Sequence, residues 1–210
     1  MRFSFKSLER LRRNASNVTL SRREDVFLPF LAEDASAGTG LLLDTCVYID
    51  QMQGKAPKIL EDLLTVRSVN HSTVAMQELM HSVGVLDPDD VRSKRAIAGI
   101  ESIITAMPPH RVFTPDVGVL AGATVYSGML CRAQRYAKDD RMRALHDCTL
   151  FLQALKLGLC VLTRNVTDFD FLLQLRPEGR VLFYRRADEA VAPKQRRTDP
   201  SIKHPRPLQR

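Results

Sequence analysis

The chain has 210 residues, of which 44% are apolar, and a formal net charge of +7. That is enough chain for one domain of ordinary size, and too much apolar content for a polymer that stays unfolded throughout. No apolar run approaches the length needed to span a membrane, which excludes a helical membrane protein.

The charge is uneven. Residues 1–24 carry a net +5, residues 185–210 a net +5, and residues 25–184 a net −3. Basic ends on a mildly acidic middle suit a polyanion partner, most simply nucleic acid. Cys46, Cys131, Cys148 and Cys160 form no C-x-x-C pair and each lies in or beside an apolar stretch. They are expected as buried, reduced thiols of a cytoplasmic protein, not as disulfides or zinc ligands. Ser21-Arg22-Arg23 ahead of Val26 to Ala32 has the outline of a twin-arginine export signal. Glu24, Asp25 and Pro29 argue against export.

In chain order, residues 1–39 form a basic extension. Phe3, Phe5, Leu8 and Leu11 among basic residues suit a short amphipathic helix. The extension reads as a packing arm, with an RNA-contacting or partner-docking arm as the other option. Leu41-Leu42-Leu43 running into Asp44 predicts a strand buried on both faces, as in parallel sheets. An aspartate at its last position stands at the carboxyl edge of the sheet, where open α/β sheets place ligands. Short helices follow over 47–52 and 57–64, then a short strand near 67–70. Ser72 is a good N-cap for a helix over 73–86, whose stripe is Ala75, Met76, Leu79, Val83 and Leu86, with Glu78 on its flank.

Asp87-Pro88-Asp89-Asp90 closes that helix and caps another over 89–106. Val112-Phe113 is a possible third strand, and 116–135 a helix of small residues. The charged run from Arg132 to Arg143 reads as solvent-facing, with contact to phosphates as the other option. Asp147 is expected in the first turn of a helix over 147–157, closed by Gly158. Leu159 to Thr163 is another doubly buried strand, 163–169 a loop, and Val181 to Tyr184 a last strand. Residues 185–210 read as a basic, Pro-rich, disordered tail. Strands alternating with helices predict an α/β fold with a mostly parallel central sheet and helices on both faces, occupying residues 40–184.

Four carboxylates stand out by position. Asp44 ends one buried strand and Asp168 lies five residues past the end of another. Asp147 precedes Leu150, Phe151 and Ala154 at helical spacing, which turns it toward the core. Glu78 borders the apolar stripe of its helix. Several carboxylates at one sheet edge repel one another unless a cation sits between them. Oxygen ligands of this kind suit Mg²⁺ or Mn²⁺. Such ions activate water and neutralise charge on a phosphodiester undergoing in-line displacement.

The run Leu-Leu-Leu-Asp44-Thr45 resembles the first motif of PIN-domain nucleases. Ser-Thr-Val-Ala-Met-Gln-Glu78-Leu resembles their second. His146-Asp147-Cys-Thr-Leu-Phe-Leu-Gln-Ala-Leu-Lys-Leu-Gly158, followed by Leu-Cys-Val-Leu-Thr163-Arg164-Asn165-Val-Thr-Asp168-Phe169, resembles the third and fourth, in the form found in the VapC toxin branch. The resemblance covers residues 40–184. It implies a PIN-like three-layer sandwich and a metal-dependent endoribonuclease acting on RNA such as tRNA. It also implies a homodimer neutralised by a cognate antitoxin. Carried onto this chain, it makes Asp44, Glu78, Asp147 and Asp168 the catalytic carboxylates and metal ligands. Thr163 and Asn165 become supporting polar groups, and Arg164 a phosphate contact or a plain surface arginine.

Forty residues precede the first motif strand, and 69 positions separate Glu78 from Asp147, more than compact toxins of this branch have. A PIN-like RNA- or protein-binding module without a toxin role, or an RNA-processing nuclease, is therefore the alternative. A haloacid-type phosphatase needs an aspartate where this chain has Cys46. A receiver domain needs an acidic pair before its aspartate and a late lysine, and neither is found. The five histidines show no ligand spacing, and His146, beside Asp147, reads as a surface residue, with an influence on that site as the other option.

Overall fold

The computed structural model describes residues 4–14, 20–32 and 38–189. Phe3, Ala35-Ser36-Ala37 and residues 190–210 of the expected tail lie outside the described residues, whereas Arg185 and Arg186, expected in a disordered tail, are bonded to Asp25 of the extension and Asp50 of the domain. Among the described residues, five strands form one sheet in the order β3-β2-β1-β4-β5, and every pairing is parallel. The strands are β1 (Leu41–Leu43), β2 (Val69–Ser72), β3 (Val112–Phe113), β4 (Cys160–Thr163) and β5 (Val181–Phe183). The helices are α1 (Phe5–Asn14), α2 (Thr45–Met52), α3 (Lys58–Val66), α4 (Thr73–Val85), α5 (Val91–Ala106), α6 (Val117–Gln134), α7 (Asp140–Leu157) and α8 (Val166–Leu175). This is the α/β class that the alternating pattern predicts.

Side chains alternate across a strand, so the leucine run of β1 feeds two cores. Leu42 joins Val161 and Phe183 against Tyr126, Phe151 and Phe169 from α6, α7 and α8. Leu41 and Leu43 join Leu162 against Leu60, Leu79 and Ile100 from α3, α4 and α5. Leu41 and Leu42 are fully buried and Leu43 is 2% exposed. Each such side chain contributes about 1.5–3 kcal/mol relative to exposure. Β1 lies at the centre of the sheet, which puts Asp44 in the middle of its carboxyl edge.

Two elements differ from the expectation in ways that move site residues. Helix α7 starts at Asp140, not Asp147. The stretch Arg141-Met142-Arg143-Ala144-Leu145 is made of good helix formers, and Ala144 packs inside with 1% exposure. Asp147 thus sits two turns into the helix, and capping does not explain it. The segment after β4 is not a loop through residue 169. Asn165 caps α8, and Asp168 falls in its first turn. Phe169, Phe171 and Leu172 bury themselves in the core and carry the helix.

The N-terminal extension is partly built into the domain. Leu31 N donates to Phe183 O (2.7 Å) and Phe183 N to Pro29 O (2.9 Å), so residues 29–31 run beside β5. Leu28 is 7% exposed, and Phe30 stacks at 5.7 Å on Phe183. This strap covers one edge of the sheet, which otherwise presents unpaired backbone groups. No helix among the described residues is long and apolar enough to cross a membrane.

Candidate active site

Asp44 leaves the end of β1 and caps α2, with Oδ1 accepting from Thr45 N at 2.7 Å. Its other oxygen accepts from Thr163 Oγ at 2.5 Å and from Cys46 Sγ at 3.1 Å. Burial pushes its pKa above the ordinary carboxylate value. The bonds from Thr163, Cys46 and Thr45 oppose that push, and the charge of Glu78 adds to it.

Glu78 reaches the same place from α4. Thr45 Oγ donates to its Oε2, and His146 Nδ1 lies 2.7 Å from its Oε1. His146 is therefore a partner of a site carboxylate: of its two readings, the one that ties it to the site holds, although through Glu78 and not through the adjacent Asp147. It comes from α7, one position before Asp147, and its side chain is only 21% exposed. Its place beside Asp147 hinted at the site, but the pairing with Glu78 left no trace in sequence spacing, because the two helices meet only in the folded chain.

Asp147 is 7% exposed. Burial drives its pKa well above the ordinary value, and Asp44, Asp168 and Glu78 push in the same direction. Its Oδ2 accepts from Asn165 Nδ2 at 3.0 Å, and the same amide donates to Asp168 Oδ2 at 2.8 Å. Asn165 thus separates two carboxylates that would otherwise repel, while its Oδ1 caps α8. Thr163 Oγ also accepts from Asn165 N at 2.9 Å. Asp168 Oδ1 takes a bond from Tyr136 OH. Tyr136 lies in the charged stretch before α7 that reads as solvent-facing. Burial and the neighbouring Asp168 raise its phenol, which keeps it a proton donor.

Asp44, Glu78, Asp147, Asn165 and His146 border one cleft of about 1000 Å³, and Asp168 stands behind Asn165. The three expected carboxylates of the cleft are therefore brought together. The fourth is tied to them through one amide. As placed, no three His, Cys, Asp or Glu side chains among the described residues converge tightly enough to hold an ion. The carboxylates instead face the cleft through Thr, Asn, Tyr and His partners.

Arg164 also borders the cleft, but its Nε donates to Asp50 Oδ2 at 2.9 Å. Arg186 Nε (2.8 Å) and Tyr184 OH (2.8 Å) meet the same carboxylate. Asp50 has no exposed side-chain surface. Burial raises its pKa, but the bonds from Arg186, Tyr184 and Arg164 outweigh that effect and hold it below the ordinary value. This buried hub fixes the segment after β4, and nothing in the residue order pointed to it. The four cysteines carry no disulfide, and Cys148 and Cys160 are buried as expected. Cys46 and Cys131 are only half-buried.

No family model matches the chain, and no curated protein matches it. It is similar to solved structures of toxin–antitoxin complexes. The DNA-bound VapBC of Salmonella typhimurium is 20% identical, with a TM-score of 0.49 over 70% of this chain and 98% of that one. VapBC-5 of Mycobacterium tuberculosis is 19% identical, with a TM-score of 0.46 over 70% and 99%. VapBC2 of Rickettsia felis, bound to promoter DNA, is 14% identical, with a TM-score of 0.44 over 69% and 98%. Likenesses at this level carry no argument about chemistry, which rests on the side chains described above.

Proposed function

We propose that the chain is a Mg²⁺- or Mn²⁺-dependent endoribonuclease that hydrolyses RNA phosphodiester bonds, acting as the toxin of a toxin–antitoxin pair. The observation that carries this reading is Asp147. It is a buried carboxylate two turns inside a helix, pushed toward protonation by burial and by three further carboxylates. An arrangement that disfavours its own charges is costly without a compensating cation. The donors are all oxygens of like charge, which fits a hard divalent ion. Asp44, Glu78 and Asp147 would hold it once drawn closer together than they stand here, with Asp168 joined through Asn165 or directly. Such an ion, when bound, supplies charge neutralisation at the phosphodiester and a more acidic water.

The chain's own residues do the rest. Thr163 and Cys46 fix the Asp44 oxygen, Thr45 and His146 fix Glu78, and Tyr136 fixes Asp168. A carboxylate oxygen facing the cleft is placed to take a proton from attacking water. The motif order at Asp44, Glu78, Asp147 and Asp168 supports RNA as substrate, a homodimer, an antitoxin partner and a cytoplasmic setting. The test is cleavage of total cellular RNA with and without divalent cations, by the wild type, Asp44→Ala and Asp147→Asn. Cleavage that needs the cation and vanishes in both variants supports the reading. Cleavage that survives either substitution sinks it. Growth arrest on expression, relieved by co-expression of the neighbouring reading frame, tests the toxin role.

A further inference from the structure

The cleft wall that reads as an acidic metal site must still draw in a polyanion, and the strap supplies a cation at its rim. Arg22 borders the cleft together with Asp44, Glu78 and Asp147, although it lies 22 positions before the first of them in sequence. Its backbone neighbours are pinned on both sides. Ser21 O accepts from Gln174 Nε2 at 3.0 Å and Leu20 O from Gln134 Nε2 at 3.2 Å. Arg23 places its backbone N at 2.8 Å and its Nε at 2.6 Å from the two oxygens of Asp170. Asp170 has no exposed side-chain surface and belongs to α8, the helix that carries Asp168. Arg22 is thus presented by a segment anchored to the same helix as a site carboxylate.

The other cleft arginines differ from it. Arg164 is committed to the buried Asp50, and Arg143 is 64% exposed on α7 with a 3.5 Å bridge to Asp140. The Arg22 guanidinium pairs with Asp25, which also pairs with Arg185. Asp25 is thus shared between two guanidinium groups, and Arg22 does not hold it alone. The Arg22–Asp25 bridge is partly exposed, with side chains 36% and 30% accessible, and such pairs exchange readily for a better anion. A guanidinium on a fixed backbone suits a phosphate, because its planar fork matches two phosphate oxygens.

We propose that Arg22 is a substrate-binding residue that contacts a backbone phosphate of RNA as the strand enters the cleft. The proposal rests on the nuclease reading for its substrate, and the test separates the two. Total tRNA is the probe. Cleavage is measured at several salt concentrations for the wild type, Arg22→Ala and Arg22→Lys. Binding is measured for the same changes in the uncleaving Asp147→Asn background, and thermal unfolding checks that each variant folds. Arg22→Ala is expected to raise KM and Kd about 5–10-fold, with kcat within about twofold. It is also expected to lower the slope of log Kd against log salt by about 0.7–1. Arg22→Lys keeps the charge and is expected to restore the slope and part of the affinity.

The strap makes a second variant informative. Arg23→Ala removes the side-chain bond to Asp170 but keeps the backbone one, so it should loosen the segment and weaken binding less than Arg22→Ala does, and the double variant should be no worse than Arg22→Ala alone. If the wild type cleaves tRNA while Arg22→Ala keeps its KM, Kd and salt slope, the Arg22 proposal is overturned and the nuclease reading stands. If nothing is cleaved but Arg22→Ala still loses binding and salt slope, the nuclease reading falls and Arg22 stands. If tRNA is neither cut nor bound, both fall.

Discussion

His146 Nδ1 lies 2.7 Å from Glu78 Oε1, joining α7 to α4 across 68 positions of sequence. The contact orients one oxygen of a carboxylate whose other oxygen is held by Thr45 Oγ. His146→Ala should therefore lower kcat/KM on RNA by about 10–100-fold, the range seen when a carboxylate's outer partner is removed at a metal centre. The melting temperature should change little, because the histidine is partly exposed. Activity within twofold of the wild type would show that Glu78 needs no such support.

Asp147→Asn should abolish cleavage and stabilise the protein when divalent ions are absent. A carboxyl whose pKa is raised on folding loses favourable folding energy as pH climbs past its unfolded value, near 3.9. The cost is then complete above the raised folded value. Burial and the three neighbouring carboxylates set that cost, so the variant should gain about 1–3 kcal/mol in EDTA at pH 8. Added Mn²⁺ should stabilise the wild type and leave the variant nearly unmoved. Urea unfolding with and without Mn²⁺ checks both halves.

Asn165→Ser separates two jobs of one side chain. Serine caps a helix about as well as asparagine, so α8 should persist. It has no amide to stand between Asp147 and Asp168. The expected result is a melting temperature within a few degrees of the wild type and a loss of activity of about tenfold or more. Equal activity would mean that the amide bridge does not shape the site.

Asp50 governs acid stability with the opposite sign to Asp147. Its folded pKa is depressed, so its contribution is complete above the unfolded value near 3.9 and disappears as pH falls through the folded value. Asp50→Asn should cost about 2–4 kcal/mol at pH 7, toward the low end of broken buried pairs because Arg164 and Arg186 reach water. The gap between wild type and variant should narrow below about pH 4. Denaturant unfolding at pH 7 and pH 3 measures it, and an unchanged gap would remove Asp50 from the account.

The sheet and most helices were legible because their residues speak locally. The leucines of β1 and the Leu-Cys-Val-Leu run of β4 are too apolar for any place but a doubly covered strand. Ser72 and Gly158 mark helix ends by backbone chemistry alone. The four carboxylates were found from their places on those elements. The rest depended on contacts between distant segments. Tyr136 sits in a run of charges, His146 looks exposed beside Arg143 and Leu145, and Arg23 precedes Asp170 by 147 positions. Periodicity reports which face of an element is covered, not which neighbour covers it. The start of α7 was misplaced for a related reason: its first two turns are polar enough to pass for solvent, yet Ala144 faces inward.

The strap pairs residues 29–31 with β5, a strand made some 150 residues later. During synthesis the N-terminal segment must wait, edge unpaired, until nearly the whole domain has left the ribosome. Asp168 and its helix also arrive late, well after Asp44 and Glu78. A growing chain therefore holds its acidic residues without the cleft that joins them. Contacts of such long sequence separation slow folding, so the cleft closes only once α8 and β5 have both been made.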